Sequence, residues 1–459
     1  MSANVKDMTS GRPLRLLISF ALPLMFGNIF QQLYTIVDTV VVGKGLGVNA
    51  LAALGAVDWL NWMVIGVATG FTQGFSILIA QYFGAKKFDN LRKAFAASAV
   101  LSGIIAVFTL IVSQAAARPM LIFLNTPEYI IADALAYVRV AFSGIIIVMA
   151  YNFLAATLRA LGDSKTPLIA MVIAAAINVV LDVIFVIGLN LGIASAAAAT
   201  VIAQAFSALY CLNAVRKISI LKVKKTDFRR DFLLAGCLFK LGLPIALQNI
   251  LIAVGGLVIQ SVINQYGLHF VAVFTATNKL YGLLELAGIA FGFAISTYAS
   301  QNMGAQKYDR IPKGVHASLL ISAVTSSVIS AIVLIFGRQI LSMFISGAGS
   351  ETEMAMTVAV NYLNVMGVTL FILYLIHVYR NVMQGLGDTL IPMLSGVMEL
   401  VMRVAVVLIL PPLIGETSLY FAELAAWIGA DVLLIAAYNI RMRGLRKKSR
   451  AEGTGVIRG

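Results

Sequence analysis

The stretch Gln81-Tyr-Phe-Gly-Ala-Lys-Lys-Phe-Asp89 returns as Gln301-Asn-Met-Gly-Ala-Gln-Lys-Tyr-Asp309, 220 residues on (81 to 301). Arg118 returns as Arg338 at the same displacement. Leu-Pro23 with Asn28-Ile returns as Leu-Pro244 with Asn249-Ile, and Ala160-Leu-Gly-Asp163 with Pro167 returns as Gly385-Leu-Gly-Asp388 with Pro392. Matched segments in the same order, with small drifts in spacing, mark an internal duplication.

Between these landmarks the chain is apolar: 60% of its residues are hydrophobic and 12% charged. A soluble chain needs roughly a quarter charged residues to cover its surface, so the solvent implied here is lipid. Runs such as 16–42, 94–117 and 166–189 have the length a helix needs to cross ~30 Å of hydrocarbon. They are continuous rather than alternating, which favours helices over a β-barrel. Punctuation by Gly, Pro and charge gives spans near 14–43, 52–83, 94–118, 130–160, 166–189, 193–216, 237–266, 271–301, 314–341, 354–385, 389–411 and 417–440. Lys6, Arg12 and Arg15 precede the first run, but no small-x-small cleavage site follows, so it reads as a retained span.

If the spans alternate, one side of the membrane receives nearly all the Lys and Arg of the connections. The other side has only Lys44, Arg118 and Arg338. The positive-inside rule then places both termini in the cytoplasm of a multi-pass protein of the cell membrane. The same bias accounts for the net charge of +14 without a nucleic-acid partner. Cys211 and Cys237 flank the basic central segment and imply no disulfide framework.

The expected fold is an all-α integral membrane protein of twelve transmembrane helices in two pseudo-twofold-related six-helix lobes. The N-terminal lobe covers 1–215, a cytoplasmic basic linker 216–236, the C-terminal lobe 237–441 and a basic cytoplasmic tail 442–459. An even number of spans per copy sets the pseudo-twofold along the membrane normal and leaves a cleft between lobes. The alternative is that the duplication only builds a larger bundle.

An ionisable side chain near the bilayer centre costs about 2.5–3.5 kcal/mol even on the lenient insertion scale, so each requires a partner or a role. At ~1.5 Å per residue, Asp38 on span 1 and Asp182 on span 5 both lie ~9 Å below the outer face. Thr200 on span 6 lies at about ~11 Å by the same count, and Asn178 is one helical turn from Asp182 on the same face. Tyr137 on span 4 joins this layer from the outer end. Two carboxylates with amide and hydroxyl oxygens suit a small hard cation or a proton, and Asp38 and Asp182 would be the ligands if the ion is Na+. Asp38 could instead meet only an outer water vestibule, with Asp182 held by a helix partner. Tyr34 and Gln31 continue a polar stripe below Asp38, with Asn28 further along, which lines a substrate path or packs against span 2. Pro23 removes a backbone bond mid-span and forms either a hinge or a static kink.

The second copy does not repeat this acid site, since Val407 stands where Asp182 would fall. Glu399 and Arg403 are i,i+4 on span 11 and read as a neutralised pair. Lys279, Glu285 and Arg380 have no such local partner. No catalytic constellation is present: His269, His316 and His377 are scattered, and no nucleophile elbow or phosphate loop occurs, so neither an enzyme nor a cofactor is expected. The Leu-Gly-Asp segments read as helix ends.

Val37-Asp-Thr-Val-Val-Val-Gly43, Ala80-Gln-Tyr-Phe-Gly-Ala85, Leu158-Arg-Ala-Leu-Gly-Asp163 and Asn178-Val-Val-Leu-Asp182 resemble multidrug and toxic compound extrusion (MATE) transporters. The resemblance covers essentially the whole chain. It implies an antiporter, coupled to H+ or Na+, that exports organic and often cationic compounds by alternating access. It also implies a coupling-ion site at Asp38, Asn178, Asp182 and Thr200, a substrate-facing Gln31 and a bend at Pro23. The branch with coupling carboxylates on spans 7 and 10 is not matched, because span 7 has no acid and span 10 only Glu353 at its start. A flippase for lipid-linked oligosaccharides shares the two-lobe plan and remains the alternative, resting on Lys279, Arg380 and Arg403. The expected partners are small amphipathic substrates and the lipid bilayer, and the expected state is a monomer.

Overall fold

The computed structural model describes residues 4–228, 231–263, 268–342 and 350–455. Arg229 and Arg230 of the linker and residues 456–459 of the tail lie outside them. The helices are α1 (Pro13–Leu46), α2 (Val48–Gly84), α3 (Phe88–Phe123), α4 (Glu128–Ser143), α5 (Ile145–Ala160), α6 (Lys165–Asp182), α7 (Ala194–Arg216), α8 (Phe232–Ile263), α9 (Leu268–Gly304), α10 (Arg310–Leu341), α11 (Ser350–Gly385), α12 (Leu390–Ile409), the short α13 (Pro411–Ile414) and α14 (Ala422–Gly455). Among the described residues there is no strand. Among the described residues eleven helical segments are long and apolar enough to cross a membrane, and α4 with α5, bent by 46° at their junction, make up to twelve. The chain is an all-α membrane protein.

Helices α3 and α10 show why lipid is the solvent. On α10, Leu320, Val324, Val328 and Ile332 are exposed in one stripe at i,i+4 spacing, while Ser318, Ser322 and Ser326 are buried in another. On α3, Ile104, Phe108 and Ile111 are exposed while Ser98 and Ser102 are buried. Large apolar side chains outward and small polar ones inward is the pattern of a helix packed in hydrocarbon. The buried Ser98 and Ser102 are the repeat equivalents of Ser318 and Ser322.

The repeat is also written in the backbone. Ala85 N donates to Gln81 O at 2.9 Å and Ala305 N to Gln301 O at 3.0 Å; Lys87 N donates to Tyr82 O at 3.0 Å and Lys307 N to Asn302 O at 2.9 Å. The Leu-Gly-Asp turns end helices through Gly162 (φ 82°) and Gly387 (φ 84°). Each Asp then caps the next helix: Thr166 N donates to Asp163 Oδ1 at 3.0 Å, and Ile391 N to Asp388 Oδ1 at 3.4 Å. Both are helix-end turns.

Two compact units result. The first is Met1–Met8 with Leu22–Ile250, the second Thr9–Ala21 with Leu251–Gly459. The start of α1 therefore packs with the second unit and the start of α8 with the first. Within the first unit, α2 meets α8 through small residues: a Cβ on Gly70 would lie 2.5 Å from the Ala246 backbone, and one on Gly74 2.4 Å from that of Gly242. Backbones this close gain dispersion that larger residues would forbid. Part of the basic linker packs on α3. Ile218 and Leu221 are buried, and Asp227 accepts from Lys224 N at 2.8 Å and lies 3.5 Å from Arg92 Nε.

Candidate functional site

Asp163 fixes the start of α6 by accepting from Lys165 N at 3.1 Å and from Thr166 Oγ1 at 2.6 Å. From that fixed start, Asn178 and Asp182 fall one turn apart on the buried face. Directly after Asp182 the helix widens into a π-helical turn, Val183–Gly188, with Leu189 N donating to Ile184 O at 2.8 Å. Such turns re-aim neighbouring side chains and recur at functional sites.

Asp182 is 0% exposed and Asp38, from α1, is 8% exposed. Each carboxyl group acts on the other, by charge and as a neighbouring hydrogen-bonding group. Neither can donate while ionised, so the contact is only favourable with a proton or a cation between them. Asp38 Oδ1, both Asp182 oxygens and Asn178 Oδ1 are buried and accept no hydrogen bond among the described residues. Buried acceptors without donors are costly in a protein interior. Asn178 Nδ2 donates to Thr200 Oγ1 at 3.2 Å, and that hydroxyl donates to Ala196 O at 3.2 Å. Asn178 Oδ1 is thereby left as the free end of the amide.

Tyr137 is buried beside a small cavity of about 30 Å³, which it lines together with Thr200, Gln204 and Asn61. That volume admits one or two waters. Gln31, Gln204 and the charges of Asp38 and Asp182 all act on the buried Tyr34 hydroxyl. Gln31 is exposed, and its backbone carbonyl accepts from Thr35 Oγ1 at 3.0 Å. Asn28 is half-buried and makes no side-chain hydrogen bond to this group among the described residues. Pro23 sits inside an unbroken α1, one residue past the point where that helix passes from the second unit to the first.

Gln204 and Asn61 escaped the sequence reading, as did Asp58, an exposed residue of α2 whose charge acts on Asp38. Gln204 is one helical turn from Thr200 on α7, so i+4 spacing would have found it. Asp58 is an acid within span 2 and carries the same signal as Asp38, whereas Asn61 carries none. Among the described residues no group of three or more His, Cys, Asp or Glu could hold a metal ion, so a Na+ here would rest on the two carboxylates and neutral oxygens.

The second unit holds its charges differently. Arg380 is paired with Glu399 and also donates to Ser395 Oγ at 3.1 Å. Arg403 lies 3.5 Å from Glu399 but only 2.8 Å from Glu423, so the expected i,i+4 pair is one edge of a larger network. Glu285 lies 3.3 Å from His377 Nε2. Lys279 is on α9 with its side chain outside the described residues.

The MatE family profile matches residues 23–184 and 244–409, one block in each copy of the repeat. The probable multidrug resistance protein YpnP of Bacillus subtilis strain 168 is 32% identical over 345 residues, covering 74% of this chain and 76% of its own. The probable multidrug resistance protein YoeA of the same strain is 27% identical, covering 71% and 72%. A structure described as an outward-facing conformation of a multidrug resistance MATE family transporter superposes with a TM-score of 0.88 at 21% identity, covering 97% of this chain and 99% of that one.

Proposed function

The chain belongs to the MatE family, and on that premise we propose that it is an antiporter of the cell membrane that exports organic, often cationic, compounds against an inward flow of H+ or Na+. The observation that carries this reading is the facing pair Asp38 and Asp182. Two buried carboxyls without protein donors hold either a cation or a proton between them. When that ion leaves, the negative charge left behind favours an organic cation in the same unit. Ion and substrate then exclude each other, and antiport follows from the linkage between the two equilibria. Asn178 and Thr200 would supply the neutral ligands, and Tyr137, Tyr34 and Gln31 the polar surroundings through which the site is hydrated. Pro23, placed where α1 changes units, would be the hinge.

The flippase reading drew on Lys279, Arg380 and Arg403. Arg380 and Arg403 are engaged by Glu399 and Glu423, and so do not offer a basic surface to a lipid phosphate. Both termini in the cytoplasm and a monomeric state complete the proposal. Dye uptake into inverted vesicles, with a pH or a Na+ gradient imposed separately, tests it. Transport driven by neither gradient would reject it.

A further inference from the structure

Asp431, on α14, is 5% exposed, and neither of its carboxyl oxygens accepts a hydrogen bond among the described residues. The charges of Arg380 from α11 and Glu399 from α12 both act on it. Arg403 on α12 binds Glu423, earlier on α14, at 2.8 Å, and Arg380 binds Glu399. From α11, Tyr379 also feels Asp431 and packs edge-on against Tyr438 of α14 at 5.4 Å. From α9, Tyr281 faces Glu423 and Arg403, and Glu285 lies 3.3 Å from His377 Nε2.

The charges of this cluster do not balance. Two guanidinium groups, Arg380 and Arg403, are matched by two carboxylates, Glu399 and Glu423. Asp431 is a third carboxylate whose oxygens accept no hydrogen bond among the described residues, and the guanidinium whose charge acts on it, Arg380, is already paired with Glu399. Burying an unpaired ionised carboxylate is far more costly than burying a neutral acid, so the cluster reaches neutrality by holding a proton. We propose that Asp431 is a proton-binding site of the second unit, separate from Asp38 and Asp182. Releasing the proton leaves Arg380 shared between Glu399 and Asp431, so the occupancy of the site is coupled to how α11, α12 and α14 are tied together. The inference does not depend on how the first unit couples.

The test is infrared spectroscopy of the full-length protein in lipid bilayers, reading the deuterium-sensitive C=O stretch of protonated carboxyl groups. It is run on an Asp38→Asn/Asp182→Asn background, which removes the first-unit pair. One such band is expected to remain there at neutral pH and to disappear when Asp431→Asn is added. Glu399→Gln on the same background is also expected to abolish it, because Arg380 is then free to pair with an ionised Asp431. That second variant decides the matter if Asp431→Asn does not fold. Absence of the band in the starting background, or its survival in either added variant, would overturn the proposal.

Discussion

Lys86 and Gln306 adopt the same rare backbone conformation, at φ 56° and 57°, although neither is a glycine. Each follows a Gly-Ala pair at the end of a span and reverses the chain into the next. A left-handed turn at a non-glycine residue costs roughly 1–2 kcal/mol, and finding it twice at the repeat spacing ties it to the duplicated architecture. By the positive-inside reading both turns face the cytoplasm. In a Cys237→Ser background, with Cys211 buried, Lys86→Cys and Gln306→Cys should both react with an impermeant maleimide only after the membrane is opened. Labelling of one from outside intact cells would contradict the topology.

Gly162→Ala should release the N-terminal segment. A Cβ there would lie 2.2 Å from Lys6 O, at a position where φ is already +82°. Lys6 N donates to Leu161 O at 3.1 Å, so this turn and the segment that precedes α1 form one structure. The variant should lose about 2 kcal/mol of stability or more and become sensitive to proteases before residue 12. Gly103→Ala, with open space around its Cβ in mid-helix, should be neutral or slightly stabilising by thermal unfolding in detergent.

Gly70→Leu should separate α2 from α8, since even a Cβ at Gly70 would meet the Ala246 backbone. Backbone cannot move aside as a flexible side chain can. The expected result is a large drop in monodisperse protein on gel filtration. Gly55→Leu on the same helix, where nothing lies within 4 Å of an added Cβ, should leave that yield near wild type.

The fold was readable because its signals are local and repeated: spans from apolar length, lobes from the duplicated turns. Asp38 and Asp182 stood out for a related reason, since an acid in an apolar span has few bland explanations, and Asn178 followed from its place one turn from Asp182. Gln204 and Asn61 did not, because neutral amides cost less in a helix interface and only packing shows that they share a cavity with Tyr137 and Thr200. The network of the second unit was least legible. Glu399 and Arg403 satisfy a sequence-local rule, yet their partners Arg380 and Glu423 come from other helices, and the surplus of one carboxylate emerges only when all five residues are counted together.

Thr200→Val and Asn178→Ala separate the two coupling ions. A Na+ needs neutral oxygens to complete its shell, whereas a proton requires only the carboxyl pair. If Na+ couples, both variants should raise the Na+ concentration for half-maximal efflux by tenfold or more, about 1.4 kcal/mol in binding. If H+ couples, gradient-driven efflux should change by much less, and its dependence on pH should keep its shape.

The central claim is that Asp38 and Asp182 form one ion site. The direct measurement is gradient-driven dye efflux from proteoliposomes, per unit of folded protein, for Asp38→Asn, Asp182→Asn and the double variant. Groups acting as a unit lose function non-additively, so each single variant should abolish coupled efflux and the double variant should be no worse. Removing an intramembrane charge lowers insertion cost, so all three should insert normally. Full gradient-driven efflux in both single variants would contradict the account.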